Sequence, residues 1–219
     1  MRFYAMGEPG DDWTYKTTFY RMEPKHTGDA QTCPQCHGYV GMLPWLPPYN
    51  AEVVAYGKAL GDVVLGSSDD LLVSARFREA WETSNLRGLE FSPVERLRVR
   101  PARLGRKPHT YFHAEARLFG TQVDVERSRI EREEPIQCHK CKYGRLILSI
   151  RGFAIDEKSW TGEDIFAAWG MPGTVVVTDR VRQLRDDYGL TNVNLTPVEE
   201  VFWDPNKRWT PYDHSPPYW

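Results

Sequence analysis

Apolar and polar residues follow the same order in two segments of the chain. The first segment covers 71–97 and the second 175–201, and they align without a gap at an offset of 104 (175 minus 71). Val73 matches Val177, and Arg76 matches Arg180. A repeat of this length indicates that one structural unit occurs twice.

Each copy predicts a strand, a helix and a second strand. The first strand ends at Ser74 or Thr178, whose hydroxyl can cap the following helix of about ten residues. Gly88 and Gly189 lie near the predicted helix ends, where a left-handed residue is common. The inward helical positions, at the spacing of one helix face, are Phe77, Ala80 and Trp81 in the first copy and Val181, Leu184 and Tyr188 in the second.

The second strand of each copy contains a proline, Pro93 or Pro197, which favours the edge of a sheet. Further strands are predicted over 111–118, 122–127 and 145–150. The apolar segment 163–169, stopped by glycine and proline, predicts a short helix.

Basic residues concentrate in one segment of an otherwise balanced chain. The 219 residues include 28 basic and 30 acidic side chains, a net charge of −2 that predicts no nucleic-acid partner. Six of the twelve residues over 96–107 are basic. Because Arg96, Arg98 and Arg100 alternate with less polar residues, they predict a strand with one solvated face. Since no apolar stretch reaches about 18 residues, no membrane span is expected.

The four cysteines form two CxxC pairs, Cys33 with Cys36 and Cys138 with Cys141, placed 105 residues apart (138 minus 33). Two such pairs can complete a tetrahedral four-thiolate site, so we predict one structural zinc. Gly38 and Gly144 follow the pairs, and a positive φ there would turn backbone amides toward the sulfurs.

Other chemistries of these cysteines stay open. A redox dithiol is disfavoured because Cys36 is followed by glycines and prolines rather than a helix. Disulfides are disfavoured because the N-terminus has no apolar signal segment, and reduced thiols indicate a cytoplasmic protein. His37 or His139 could replace one cysteine as a ligand.

The segment 202–219 is rich in aromatic residues. It either packs over its own sheet or docks a partner, because tryptophan and tyrosine concentrate in interface hot spots. The candidate partner-binding residues are Trp203, Trp209, Tyr212 and Trp219.

The repeated segments and the repeated cysteine pairs together predict an α+β protein of two duplicated, mainly-β halves. The halves, 1–104 and 105–219, each carry one cysteine pair and one strand-helix-strand unit, and they are expected to join around a shared zinc site. We expect a monomer. Catalytic residues are not predicted, because the chain has no HExxH, nucleophile-elbow or phosphate-loop motif and a site of four thiolates is closed.

The paired cysteines and the repeat ending in Pro-Val-Glu at 93–95 and 197–199 resemble known families. The pairs are similar to those of myxobacterial double-CxxCG motif proteins, although the glycines come one and two residues late here. The repeat is similar to a segment of immunity proteins from polymorphic toxin systems. This resemblance implies a cytoplasmic protein that binds and neutralises a cognate toxin delivered by cell contact. The alternative is a zinc-ribbon-like nucleic-acid-binding adaptor, based on the basic segment over 96–107.

Overall fold

A computed structural model describes residues 1–8, 10, 13–66, 70–116 and 120–207. Within these residues the protein is mainly β with two α-helices, which confirms the α+β class. The strands are β1 (Phe3–Gly7), β2 (Thr17–Arg21), β3 (His26–Thr27), β4 (Trp45–Leu46), β5 (Asn50–Ala55), β6 (Val63–Leu65), β7 (Leu71–Ser74), β8 (Leu89–Pro93), β9 (Arg96–Arg100), β10 (Tyr111–Ala116), β11 (Ile130–Arg132), β12 (Ile147–Arg151), β13 (Ile165–Ala167), β14 (Val175–Thr178), β15 (Asn194–Pro197) and β16 (Phe202–Trp203). The helices are α1 (Ala75–Thr83) and α2 (Asp179–Tyr188), with short 3-10 turns at Leu104–Arg106 and Val198–Glu200.

Both repeated segments form a strand, a helix and a strand, as predicted. They lie in two four-stranded sheets of the same plan, ordered β6-β7-β10-β8 and β13-β14-β1-β15. The proline-containing strands β8 and β15 are at sheet edges, because proline has no amide hydrogen to give to a further strand.

The third strand of each sheet comes from the other half of the sequence. In the second sheet β1 places Phe3 opposite Thr178 and Tyr4 opposite Pro197. In the first sheet β10 places Tyr111 opposite Ser74 and Phe112 opposite Pro93. The offset of 104 carries Ser74 to Thr178 and Pro93 to Pro197, so the two registers are equivalent.

The two helices begin at the predicted residues. Ser74 Oγ accepts a hydrogen bond from the amide of Phe77 at 3.2 Å. Thr178 occupies the same position, but its hydroxyl donates to Asp164 instead, at 2.9 Å. Gly189 ends α2 in the left-handed conformation with a φ of 56°.

Most inward helix positions are buried as predicted, but Tyr188 is 42% exposed. Tyr188 is the last residue of α2, directly before the left-handed Gly189 that ends the helix. One apolar cluster contains side chains from both helices and both large sheets, including Phe77, Trp81, Val181 and Leu184. The two repeats therefore share a core.

Two other sequence predictions are wrong. The segment 163–169 contains β13, which pairs with β14, rather than a helix. A short continuous apolar run does not distinguish a buried strand from a helix. The segment 122–127 forms isolated bridges at Gln122 and Val123 followed by a turn, rather than a strand.

Two smaller sheets, β2-β5-β9 and β11-β12-β16, and the pair β3-β4 complete the described fold. The first cysteine pair lies between β3 and β4, and the second lies between β11 and β12. Each cysteine pair is thus held in the loop of an antiparallel strand pair. Of the helices among the described residues, neither combines the length and apolar character that crossing a membrane requires.

Candidate metal centre

The structure brings the four cysteine sulfurs together. All four lie within 4.8 Å of one another. Cys33 Sγ is 4.0 Å from Cys138 Sγ, and Cys36 Sγ is 3.5 Å from Cys141 Sγ. Zinc–sulfur bonds of about 2.3 Å in a tetrahedron put neighbouring sulfurs about 3.8 Å apart. The four cysteines could therefore hold one metal ion of this kind.

The two cysteine turns have the same backbone geometry. The amide of His37 donates to the carbonyl of Cys33, and the amide of Lys142 donates to the carbonyl of Cys138, each at 2.9 Å. His37 and Lys142 have φ values of 58° and 57°. The left-handed residue therefore comes directly after the second cysteine of each pair.

The positive φ predicted at Gly38 and Gly144 is wrong. These positions are explained better by the lack of room for a Cβ atom. A Cβ on Gly38 would lie 3.3 Å from the ring of Tyr143, and one on Gly144 would lie 2.9 Å from the Arg132 side chain. Glycine at both positions lets the turns pack closely.

Backbone amides point at the sulfurs, as the turns require. The amide of Gln35 donates to Cys33 Sγ and that of Gly38 to Cys36 Sγ, each at 3.4 Å. In the second turn the amide of Cys141 donates to the Cys138 sulfur and lowers the pKa of that thiol to about 7. Burial raises the pKa of the Cys141 thiol. Four ionised thiolates at this spacing need a cation to offset their repulsion.

The surroundings fit a structural site rather than a reactive one. Cys33, Cys138 and Cys141 are buried beside Val40 and Trp169, while Cys36 is exposed. His37 and His139 are exposed, and the group of possible ligands in the described part of the chain contains the four cysteines without either histidine.

The predicted aromatic partner residues are only partly within the described structure. Trp203 is half-buried in β16 and packs against the apolar cluster that contains Phe3 and Phe166. Trp209, Tyr212 and Trp219 lie outside the described residues.

A pair of buried aspartates joins the two repeats. Asp62 accepts a hydrogen bond from Arg76 Nε at 3.0 Å and another from the Thr191 hydroxyl at 2.7 Å. The same guanidinium donates to the carbonyl oxygens of Tyr188 and Gly189, at the end of α2. Burial alone would raise the pKa of Asp62, but the hydrogen bonds from Arg76, Thr191 and Ser74 lower it.

The second repeat makes an equivalent contact with the first repeat. Asp164 accepts from Arg180 at 2.9 Å and from the backbone amide of Arg87 at 3.0 Å. Arg180 also donates to the carbonyl oxygens of Ser84 and Asn85, after α1. Each repeat thus supplies the arginine that satisfies the free carbonyls at the end of the other repeat's helix.

The sequence repeat contained Arg76 and Arg180 but missed both aspartates. Asp62 and Asp164 are 102 residues apart (164 minus 62), whereas the repeat has an offset of 104. A gapless alignment therefore does not match them. Allowing a two-residue gap before β7 and β14 would have paired them.

A comparison with protein-family models identifies the class of protein. The model of an immunity protein family (Imm11) matches residues 55–200. This match is 146 residues long (200 minus 55, plus 1), about two thirds of the chain. It covers the first repeat, the second repeat up to residue 200, and the second cysteine pair. The chain belongs to this immunity protein family, which confirms the family-level resemblance. A search of curated proteins found no match. Immunity proteins generally have a toxin as partner and generally are not enzymes.

Proposed function

We propose that this chain is a cytoplasmic immunity protein that binds one cognate, contact-delivered toxin and neutralises it. The family match over 55–200 is the observation that carries this proposal. Inhibition by binding needs a rigid, complementary surface rather than a catalytic group. Specificity for one toxin then depends on a few interface side chains.

The proposal includes one structural zinc ion bound by Cys33, Cys36, Cys138 and Cys141. The sulfur spacing and the amide hydrogen bonds support a four-thiolate site. When bound, such an ion contributes folding free energy and leaves no coordination position open for a substrate. The four cysteines would hold the first and second halves of the chain together.

We further propose that the halves 1–104 and 105–219 arose by duplication and exchanged their third sheet strands, β1 and β10. The equivalent registers of these strands support a common origin. The reciprocal contacts of Arg76 and Arg180 support it as well. We expect the protein to act as a monomer without nucleic acid.

Growth rescue tests the function. The chain is expressed in a susceptible cell together with the toxin domain encoded by its neighbouring gene, and in parallel with toxins from related loci. Protection against the neighbouring toxin alone, through a complex of one chain to one toxin, is expected. Protection without a complex, or no protection with soluble folded protein present, contradicts the proposal.

A further inference from the structure

One face of the sheet β2-β5-β9 is open to solvent. The opposite face is buried, because Phe19, Ala51 and Val53 belong to an apolar cluster. On the open face Tyr20 lies opposite Glu52, and Glu52 lies opposite Arg98. Directly opposite residues share one face of a sheet, so these three side chains form a row across it.

Large side chains lie on this open face and remain exposed to solvent. Tyr20 and Tyr56 are 55% and 53% exposed, and their hydroxyls lie 3.4 Å apart. The Arg98 and Arg100 side chains are 67% and 56% exposed. Arg96 is also exposed on the same side of β9. We call Tyr20, Tyr56, Arg96, Arg98 and Arg100 the Tyr-Arg face.

Two of the three arginines, Arg98 and Arg100, are held in position by Glu52. Arg98 Nε lies 3.1 Å from one oxygen of Glu52, and Arg100 contacts the other oxygen at 3.3 Å. The Glu52 side chain is only 15% exposed, so it is fixed by the sheet. Arginines ordered before binding lose less conformational entropy when a partner docks.

The face is positively charged although the chain is not. Three arginines against Glu52 give it a charge of +2 (three minus one), while the whole chain has −2. At one end Lys16 lies 4.1 Å from the ring centroid of Trp13, itself 59% exposed. Tryptophan, tyrosine and arginine are the residues most enriched in binding hot spots.

A strand face that is only solvated is satisfied by polar side chains, whereas this face also exposes two tyrosine rings. We propose that the Tyr-Arg face is the inhibitory surface and that it docks an acidic surface of the cognate toxin. This inference rests on the proposed function. The tyrosines supply apolar contact area, and the arginines supply charge-assisted hydrogen bonds to carboxylates. Family membership favours a protein partner over nucleic acid.

Affinity measurements on the full chain test the surface. The probe is a catalytically inactive form of the toxin domain encoded by the neighbouring gene. The variants Tyr20→Thr/Tyr56→Thr and Arg98→Gln/Arg100→Gln keep strand-compatible or hydrogen-bonding side chains, and each should weaken binding at least about tenfold. The arginine variant should also lose most of the salt dependence of the association rate.

Matched controls separate the face from the rest of the surface. Tyr39→Thr removes another aromatic ring, 67% exposed, and Lys25→Gln/Lys158→Gln removes two exposed charges elsewhere. Both controls should bind within about twofold of the parent chain. Unfolding midpoints of all variants exclude loss of folding as the cause.

The outcomes distinguish this inference from the proposed function. If the parent chain binds the toxin and both face variants bind equally well, the inhibitory surface lies elsewhere and this inference is wrong. If the parent chain does not bind the toxin, the proposed function fails and this inference fails with it. Steeply salt-dependent binding to a DNA or RNA duplex, lost in Arg98→Gln/Arg100→Gln, would assign the face to nucleic acid instead.

Discussion

The guanidinium of Arg76 lies 3.0 Å from the carbonyl oxygen of Gly189, so a residue of the first repeat closes the helix of the second. Arg180 makes the corresponding contacts with the carbonyl oxygens of Ser84 and Asn85 after the first helix. Each arginine also binds a buried aspartate that precedes its own repeat in the sequence. The interface between the repeats therefore combines a shared apolar core with two matched polar contacts.

Replacing either arginine should destabilise the whole protein. Arg76→Ala leaves Asp62 with fewer donors and exposes the free carbonyls at the end of α2, and we expect a loss of about 1–3 kcal/mol in the free energy of unfolding. Arg180→Ala should behave alike. Urea denaturation measures the loss. Lys25→Ala, which removes an exposed pair with Glu23, should change stability by about 0.5 kcal/mol or less. An Arg76→Ala variant as stable as this control would contradict the capping role.

Purified protein should contain about one zinc ion per chain, measured by elemental analysis. Cys33→Ser and Cys141→Ser should lower both zinc content and stability, because metal binding is coupled to folding. Cys36→Ser tests the exposed ligand, and His139→Ala serves as the control that keeps zinc. Two ions per chain, or none in protein with four titratable thiols, would rule out the shared site.

Acid should destabilise the protein partly through His113. This side chain is buried and stacks on Tyr49 at 4.6 Å. Burial, and then the charge of Arg21, lowers its pKa to about 4. Because the unfolded imidazole has a pKa of about 6.5, the unfolded state takes up the proton first as pH falls.

The loss of stability should therefore begin near pH 6.5 and be complete below about pH 4, and it should be on the order of 3 kcal/mol in total. Well above pH 6.5 the imidazole is neutral in both the folded and the unfolded state, so His113 should contribute no pH dependence there. Urea titrations of the parent chain and His113→Gln between pH 4 and 8 isolate this contribution by difference. Parallel pH curves for the two proteins would show that His113 is not responsible.

Trp203 should act in folding rather than in toxin binding. It packs against the apolar cluster around Phe3, so Trp203→Ala should cost about 2 kcal/mol or more of stability. Toxin affinity of the folded fraction should stay unchanged.

The partner-binding role predicted for Trp209, Tyr212 and Trp219 is tested by replacing all three with alanine. Loss of protection with zinc and stability intact would place the interface there.

The sequence predicted the parts of this fold that depend on local pattern. Ser74 and Thr178 begin the helices, Gly189 ends one, and Pro93 and Pro197 mark edge strands. The four cysteines were predicted to meet because two CxxC pairs can complete one tetrahedral four-thiolate site, and because the sequence around them disfavours redox dithiols and disulfides.

The pairing of strands that are distant in the sequence could not be predicted from this local pattern. The strand β1 has the same apolar character in either sheet, so nothing local tells that it pairs with β14 rather than β7. The left-handed residues His37 and Lys142 are neither glycine nor asparagine, so the turn geometry was misplaced onto glycines. The alternating arginines predicted a solvated strand face, but the neighbouring Tyr20 and Tyr56 became visible only once β2 and β5 were placed beside it.

The pairing of β1 with β14 and of β10 with β7 has a consequence for synthesis of the protein. When the ribosome has made the first repeat, its sheet still lacks β10, and β1 has no sheet to enter until β14 has emerged. Each four-stranded sheet is therefore incomplete until a strand from the other half pairs with it. A nascent or truncated chain ending before residue 111 should therefore stay unable to protect the cell, and separately produced halves should regain protection only by combining with each other.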